Sequence, residues 1–335
     1  MSLENILNKV PKFENGEILK AFVKGYSILK RYENPVCSIS GGSDSDIMLD
    51  IIHRIDENNK VTYVWFDTGL EYQATKNHLK YLESKYNINI QVEKAIKPIP
   101  ACTKEFGQPF LNKYVSEQLE RLQSVNFEWE DLSYEELIEK YHNVDCSLKW
   151  WCNKYKVGEG FTKSMHNINY SRYLKEFIIE NPPTFNISPK CCRYAKKSVS
   201  KQILKKTNCD LMISGVRKAE GGIRAIKYEN CYEPEKNKYR PIFWFKDSDK
   251  LEYKKVFNIK YSDCYEKWGF TRTGCVCCPY GSKALYKELS KVLEYEPKMY
   301  IAVNNIFENS YAYTNQYKQF IKNMKYKENG RRTLF

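Results

Sequence analysis

Residues 35–46 read PVCSISGGSDSD, and IMLDIIHRIDE follows at 47–57. The short apolar run predicts a buried strand, and the second stretch repeats apolar residues at helical spacing. Between them lie paired glycines flanked by serines and aspartates. Gly41 and Gly42 let the backbone turn sharply and come close to an anion. Exposed N–H groups at such a turn, together with the start of a helix, form a nest for phosphate. Ser40, Ser43 and Ser45 each offer a hydroxyl. The spacing is neither the Gly-rich run ending in Gly-Lys-Ser/Thr nor G-x-G-x-x-G, so no lysine of the Walker type is present. A carboxylate inside a phosphate site repels its ligand unless a cation intervenes, so Asp44 or Asp67 is expected to hold Mg²⁺. An ordinary Gly/Ser turn is the competing reading of the loop alone.

Working outward, VTYVWF at 61–66 reads as a second strand with DTGLEY at its carboxyl end. A helix over 72–86 and a third strand in NINIQV follow, and EILKAFVKGYSILKRYE at 17–33 is helical in pattern. The β-α-β-α-β order predicts an α/β, Rossmann-like open parallel sheet with helices on both faces. Ligands of such sheets lie beyond the carboxyl ends of the strands, where both glycine segments fall. DLMISG at 210–215 returns to the strand pattern and carries GVRKAE. Between these stretches, QPFLNKYVSEQLERLQ, YEELIEKYH and SRYLKEFIIE are helical in pattern, and NPPTF breaks the chain at 181–185. The expected organisation is an N-terminal helical segment (1–34), a nucleotide-binding core (35–100 and 186–281), a helical insertion (101–185) and a helical C-terminal extension (282–335).

The 335 residues, 42% of them hydrophobic, suffice for a substantial core. No apolar stretch approaches the roughly 20 residues that span a membrane. The N-terminal residues show no signal-peptide pattern, so a cytoplasmic location is expected. The 12 cysteines then read as thiols or metal ligands rather than a disulfide scaffold. The formal net charge of +13 fits either a plain solvated basic face or a polyanionic partner such as tRNA or DNA. The 27 tyrosines and 6 tryptophans suit a core, a base-stacking surface or both.

SGGSDS followed by FDTG resembles the PP-loop ATP pyrophosphatase superfamily, with its adenine nucleotide alpha hydrolase-like fold. More narrowly it resembles the phosphoadenosine phosphosulfate (PAPS) and adenosine phosphosulfate (APS) reductase family. GVRKAEGGIR at 215–224, RPIFWF at 240–245 and YEKWGFTRTGCVCCP at 265–279 extend the likeness. It covers about 35–100 and 186–281. The resemblance implies a phosphate loop at Ser40, Gly41, Gly42, Asp44 and Ser45, and nucleotide contacts at Asp67 and Gly69. It implies substrate-gripping arginines at Arg217 and Arg224, whose planar forks bind phosphate or sulfate oxygens two at a time. ATP, APS or PAPS is the implied nucleotide. Asp44, Ser45, Arg217 and Arg224 are the expected catalytic set, with Ser43 beside them in the binding loop.

The pair Cys191/Cys192 and the C-x-x-C of Cys275 and Cys278 resemble the 4Fe–4S site of assimilatory APS reductases, with a four-thiolate Zn site as the alternative. Lys190, Arg193, Lys196 and Lys197 would offset the cluster's negative charge. Cys277 adds an extra thiol. Cys146 and Cys152 flank SLKWW and read as buried thiols or as a relocated redox pair. His53, His78, His142 and His166 form no H-x-x-x-H pair, and none is assigned catalytic work.

The reductases carry a nucleophilic cysteine in a C-terminal tail, whereas this chain has no cysteine after Cys278. Covalent sulfur chemistry needs a reachable nucleophile. The expected reaction is therefore cleavage of ATP between the α- and β-phosphates to adenylylate an acceptor, for sulfur transfer to nucleic acid, with a sulfur or electron donor protein as a further partner. APS or PAPS reduction through Cys146 or Cys152 is the first alternative, and a non-catalytic nucleotide sensor the second.

Overall fold

The computed structural model describes residues 16–221, 227–281 and 284–332. Contacts divide the chain into two compact units, Met1–Pro98 with Tyr194–Val276, and Ile99–Arg193 with Cys277–Phe335.

The first unit is built on a six-stranded sheet in the order β3-β2-β1-β4-β6-β5. Helix α1 (Gly16–Leu29) precedes β1 (Pro35–Ile39), α2 (Ser43–Ile55), β2 (Thr62–Asp67), α3 (Gln73–Tyr86) and β3 (Ile90–Lys94). Helix α4 (Ser198–Lys206), β4 (Leu211–Ser214), β5 (Tyr232–Glu233), β6 (Lys238–Tyr239) and α5 (Asp247–Val256) complete it. Val36 pairs with Thr62 on β2 and with Met212 on β4, both in parallel register. β1 thus has β2 on one side and β4 on the other, which creates a switch point at their carboxyl ends. The expected open α/β sheet is present with one correction. β5 runs antiparallel to β6, so the sheet is mixed.

β1 is buried almost throughout, as expected for a central strand of an α/β sheet. On α2, Ile47, Met48, Leu49, Ile51, Ile52 and Ile55 are all buried. They pack with Phe22 of α1, Cys37 of β1 and Ile213 of β4 into one core. Within that core Asp50 of α2 is fully buried. It accepts hydrogen bonds from Tyr86 Oη (2.8 Å), Tyr253 Oη (2.6 Å) and Arg54 Nε (2.6 Å). A buried carboxylate is tolerated only with such compensation.

The second unit is helical. Its helices include Lys113–Gln123, Asp145–Trp151, Leu174–Glu180 and Glu308–Arg332. Within 101–185, and within the described part of 282–335, the regular elements are helices separated by loops. Trp150, Trp151, Phe110 and Phe177 form a core that Tyr313 and Tyr317 of the last helix join. No described helix is long and apolar enough to cross a membrane.

Candidate functional site

The site begins where β1 ends. Gly41 has φ +65°, a left-handed conformation that side chains disfavour. A Cβ there would lie 2.9 Å from Thr75 Cγ2 on α3. Gly42 caps α2 in extended backbone without a side-chain cap. Two hydroxyls fold the loop onto itself. Ser40 N–H donates to Ser45 Oγ at 2.9 Å, and Gly42 N–H to Ser40 Oγ at 3.3 Å. Ser43 and Ser45 are buried in the first turn of α2.

From the neighbouring strand β4, Gly215 approaches this loop closely. A Cβ on it would meet the carbonyl carbon and oxygen of Asp44 and the Cα of Ser45, each at 3.3 Å. Arg217 follows and is only 5% exposed. Its Nε lies 3.0 Å from Asp44 Oδ1 and a terminal nitrogen 2.9 Å from Asp247 Oδ1. Its other terminal nitrogen donates to the Phe245 carbonyl at 3.2 Å. Burial alone would lower the guanidinium's pKa, but the neighbouring carboxylates of Asp44 and Asp247 leave it raised. Lys250 of α5 reaches the same place, donating to Ser43 Oγ at 2.9 Å and pairing with Asp44 Oδ1.

These groups line a cavity of about 440 Å³ that Ser40, Gly42, Ser214, Tyr265, Arg272 and Thr273 also border. Tyr265 Oη and Thr273 Oγ1 share a hydrogen bond of 3.0 Å. The cavity is polar, lies at the switch point of the sheet and brings helix start, hydroxyls and cations together. Such a constellation suits a phosphorylated ligand. Of the expected residues, Ser40, Gly42, Ser43, Asp44, Ser45 and Arg217 border this cavity, and Gly41 shapes the loop behind it. Arg224 lies outside the described residues.

Asp67 and Gly69 occupy the end of β2. Gly69 N–H donates to Asp67 Oδ1 at 2.9 Å, and Gly69 has φ +77° with a Cβ position 2.7 Å from Pro98 Cβ. Next to them, buried Glu71 accepts from Thr68 Oγ1 at 2.6 Å, and burial pushes its carboxyl pKa up.

Gly215, Tyr265, Arg272 and Thr273 were given no role from the sequence, although Gly215 opens GVRKAEGGIR and the other three lie in YEKWGFTRTGCVCCP, the stretches that carry the resemblance. Lys250 had no signal at all. His78, assigned no chemistry, forms a buried pair with Asp46, with Nε2 and Oδ2 2.8 Å apart. Burial raises the Asp46 pKa.

The expected metal centre requires correction. Among the described residues no three His, Cys, Asp or Glu side chains gather closely enough to hold a metal ion. This overturns the 4Fe–4S cluster and its Zn alternative at Cys191, Cys192, Cys275 and Cys278. Cys191 and Cys192 are neighbours in the helical turn Lys190–Cys192, where successive side chains diverge by about 100°. Cys191 is buried and Cys192 partly exposed. Cys275 Sγ accepts from the Thr68 hydroxyl at 3.7 Å. Cys277 is buried in left-handed backbone, φ 46°, and its carbonyl accepts from Tyr311 Oη at 2.6 Å. The Mg²⁺ expected at Asp44 or Asp67 is corrected too: among the described residues neither carboxylate belongs to a group that gathers to hold a metal ion, and Asp44 already meets Arg217 and Lys250. Of the alternative thiols, Cys146 is exposed. Burial raises the Cys152 pKa, which disfavours the thiolate that a nucleophile requires.

A family model described as the phosphoadenosine phosphosulfate reductase domain matches residues 34–126 and 160–280. An uncharacterized protein of Methanocaldococcus jannaschii is 23% identical over 289 residues, covering 83% of this chain and 50% of its own length. The chain thus spans about half the length of that curated relative. Among solved structures, an NH3-dependent NAD synthetase from Campylobacter jejuni subsp. jejuni NCTC 11168 aligns with TM-score 0.36 and 15% identity over 94% of this chain and 96% of its own. Phosphoadenylyl-sulfate reductase from Candida auris, in a phosphate complex, gives 0.38 and 11% over 82% and 93%. The U34-tRNA thiolase NcsA of Methanococcus maripaludis, solved with its 4Fe–4S cluster, gives 0.37 and 10% over 89% and 78%.

Proposed function

Because this chain belongs to the phosphoadenosine phosphosulfate reductase domain family, we propose that the cavity after β1 and β4 binds the phosphates of an adenine nucleotide and directs cleavage of ATP between its α- and β-phosphates. The observation that carries this reading is the convergence of the Gly41–Gly42 turn, the start of α2, Arg217 and Lys250 on one cavity. An acceptor oxygen bonds to the α-phosphorus as the bond to the bridging oxygen breaks, and pyrophosphate leaves with the electron pair. A sulfur or nitrogen nucleophile then displaces AMP. Loop N–H groups, serine hydroxyls and the two cations stabilise charge on the phosphoryl oxygens, the main electrostatic contribution a protein makes to such a transfer. Ser40, Ser43, Ser45 and Arg217 are the proposed phosphate contacts, and Asp44 holds Arg217 and Lys250 in the site before the nucleotide binds. Asp67 and Gly69 are proposed to contact the nucleoside.

The net charge of +13 supports a nucleic acid, tRNA or DNA, as acceptor, whose binding then weakens steeply with salt through counterion release. The test incubates the protein with ATP and each acceptor and measures pyrophosphate, and in parallel offers a labelled sulfonucleotide with thioredoxin or glutathione and measures sulfite. Pyrophosphate release that depends on one acceptor, without sulfite, is expected. Sulfite formation that is lost on Cys146→Ser or Cys152→Ser makes the protein a reductase and overturns the reading. Tight nucleotide binding without turnover on any acceptor overturns the catalytic part and leaves a sensor.

A further inference from the structure

The glycine loop has no lysine of its own, yet an ammonium group stands at its helix start. Lys250 comes from α5, 207 residues beyond Ser43, and donates to Ser43 Oγ at 2.9 Å. Its side chain is 15% exposed, so it is held inside the cavity rather than in bulk water. It shares Asp44 Oδ1 with Arg217. One carboxylate oxygen therefore faces two cations, and Arg217 Nε meets it at 3.0 Å without an aligned hydrogen bond. Arg272 adds a third cation to the cavity, and among the described residues no carboxylate pairs with it. The charged lining is Arg217, Lys250 and Arg272 against Asp44 and Glu220. The Asp44 oxygen thus occupies a point where a ligand oxygen would meet an ammonium and a guanidinium at the positive end of α2.

We infer that Lys250 is the loop's phosphate-binding lysine, delivered from a distant helix, and that Asp44 is an internal anion which a condensed phosphate chain displaces. The inference rests on the nucleotide reading of the site and adds to it the class of group bound, a di- or triphosphate. On binding, the phosphoryl oxygens take over Lys250 and share Arg217, and the Asp44 carboxylate turns away. Asp44 then opposes ligand binding while it stabilises the protein without ligand. A contact residue would not behave in this way.

Titration calorimetry with ATP and with inorganic pyrophosphate tests this on the full chain, for the wild type and Lys250→Gln, Lys250→Arg and Asp44→Asn. Lys250→Gln should weaken both ligands about 10- to 100-fold, the loss of one charge-assisted bond, and Lys250→Arg should restore most of it. Asp44→Asn should bind both ligands at least as tightly as the wild type. Its melting temperature should be lower without ligand and should rise more on adding ATP. Lys250→Gln within twofold of wild type for both ligands, with wild-type ATP binding intact, overturns the inference and leaves the nucleotide reading standing. Asp44→Asn losing affinity as severely as Lys250→Gln also overturns it. Wild-type protein that binds pyrophosphate through Lys250 but not ATP overturns the nucleotide reading and leaves the exchange standing.

Discussion

Replacing Gly41 with alanine separates two costs that the loop after β1 avoids. The first is backbone strain. At φ +65° an alanine loses about 1–2 kcal/mol relative to glycine. The second is crowding. The new Cβ would lie 2.9 Å from Thr75 Cγ2, a methyl on a stiff, β-branched side chain that is 2% exposed. Overpacking of that kind costs about 1–3 kcal/mol. Gly41→Ala should therefore destabilise the first unit by about 2–5 kcal/mol, combining both contributions. Thr75→Ser removes the methyl and keeps the hydroxyl. In that background only the strain remains, about 1–2 kcal/mol. The difference between the two backgrounds is a double-mutant coupling. Hydrogen exchange on peptides covering 35–39 and 62–67 reads the first unit by itself. Gly41→Ala within about 0.5 kcal/mol of wild type, or an equal cost with and without the Thr75 methyl, would refute the geometry from which these magnitudes come.

Arg217→Met removes the guanidinium that Asp44, Asp247 and the Phe245 carbonyl share. It should weaken ATP binding by about 1.5–3 kcal/mol per lost charged bond, and calorimetric affinity within threefold of wild type would reject Arg217 as a phosphate contact. Burial raises the Glu71 pKa above its ordinary 4.5, so the folded state retains a proton that the unfolded chain has already released. Stability from this group is present below pH 4.5 and is lost as pH rises through the folded pKa. Glu71→Gln should flatten that decline and raise the neutral-pH melting temperature. A melting temperature that falls equally with pH in both proteins contradicts the assignment.

The strand, glycine loop and helix at 35–57 were legible because each signal was local. An apolar run, two glycines and a helical repeat stand side by side, and their burial in β1 and α2 follows from composition. β5 and β6 were not legible, since each holds only two residues and β6 joins the sheet through pairing with the distant β4. The antiparallel edge was missed for that reason. Lys250 stands in the charged sequence DKLEYKK and has no motif around it. Only the packing of α5 beside α2 gives it a partner in the loop. The cysteines erred the other way. CC and C-x-x-C are strong local patterns, but ligation depends on where the thiols point. The structure engages Cys275 with Thr68 and turns Cys191 and Cys192 in different directions.

The buried carboxylate Asp50 has a consequence beyond the core. It ties Tyr253 of α5 to α2, while Asp44 on the same helix meets Lys250 on the same partner. The two helices are thus gripped at two points spaced about 9 Å apart along α2, like the jaws of a caliper set by its far screw. Loosening the inner grip would change the gap at the loop without touching any residue there. Variation at position 50 would then read out as a change in anion affinity, and a lineage could retune its ligand from inside the hydrophobic core while every residue lining the cavity stayed the same.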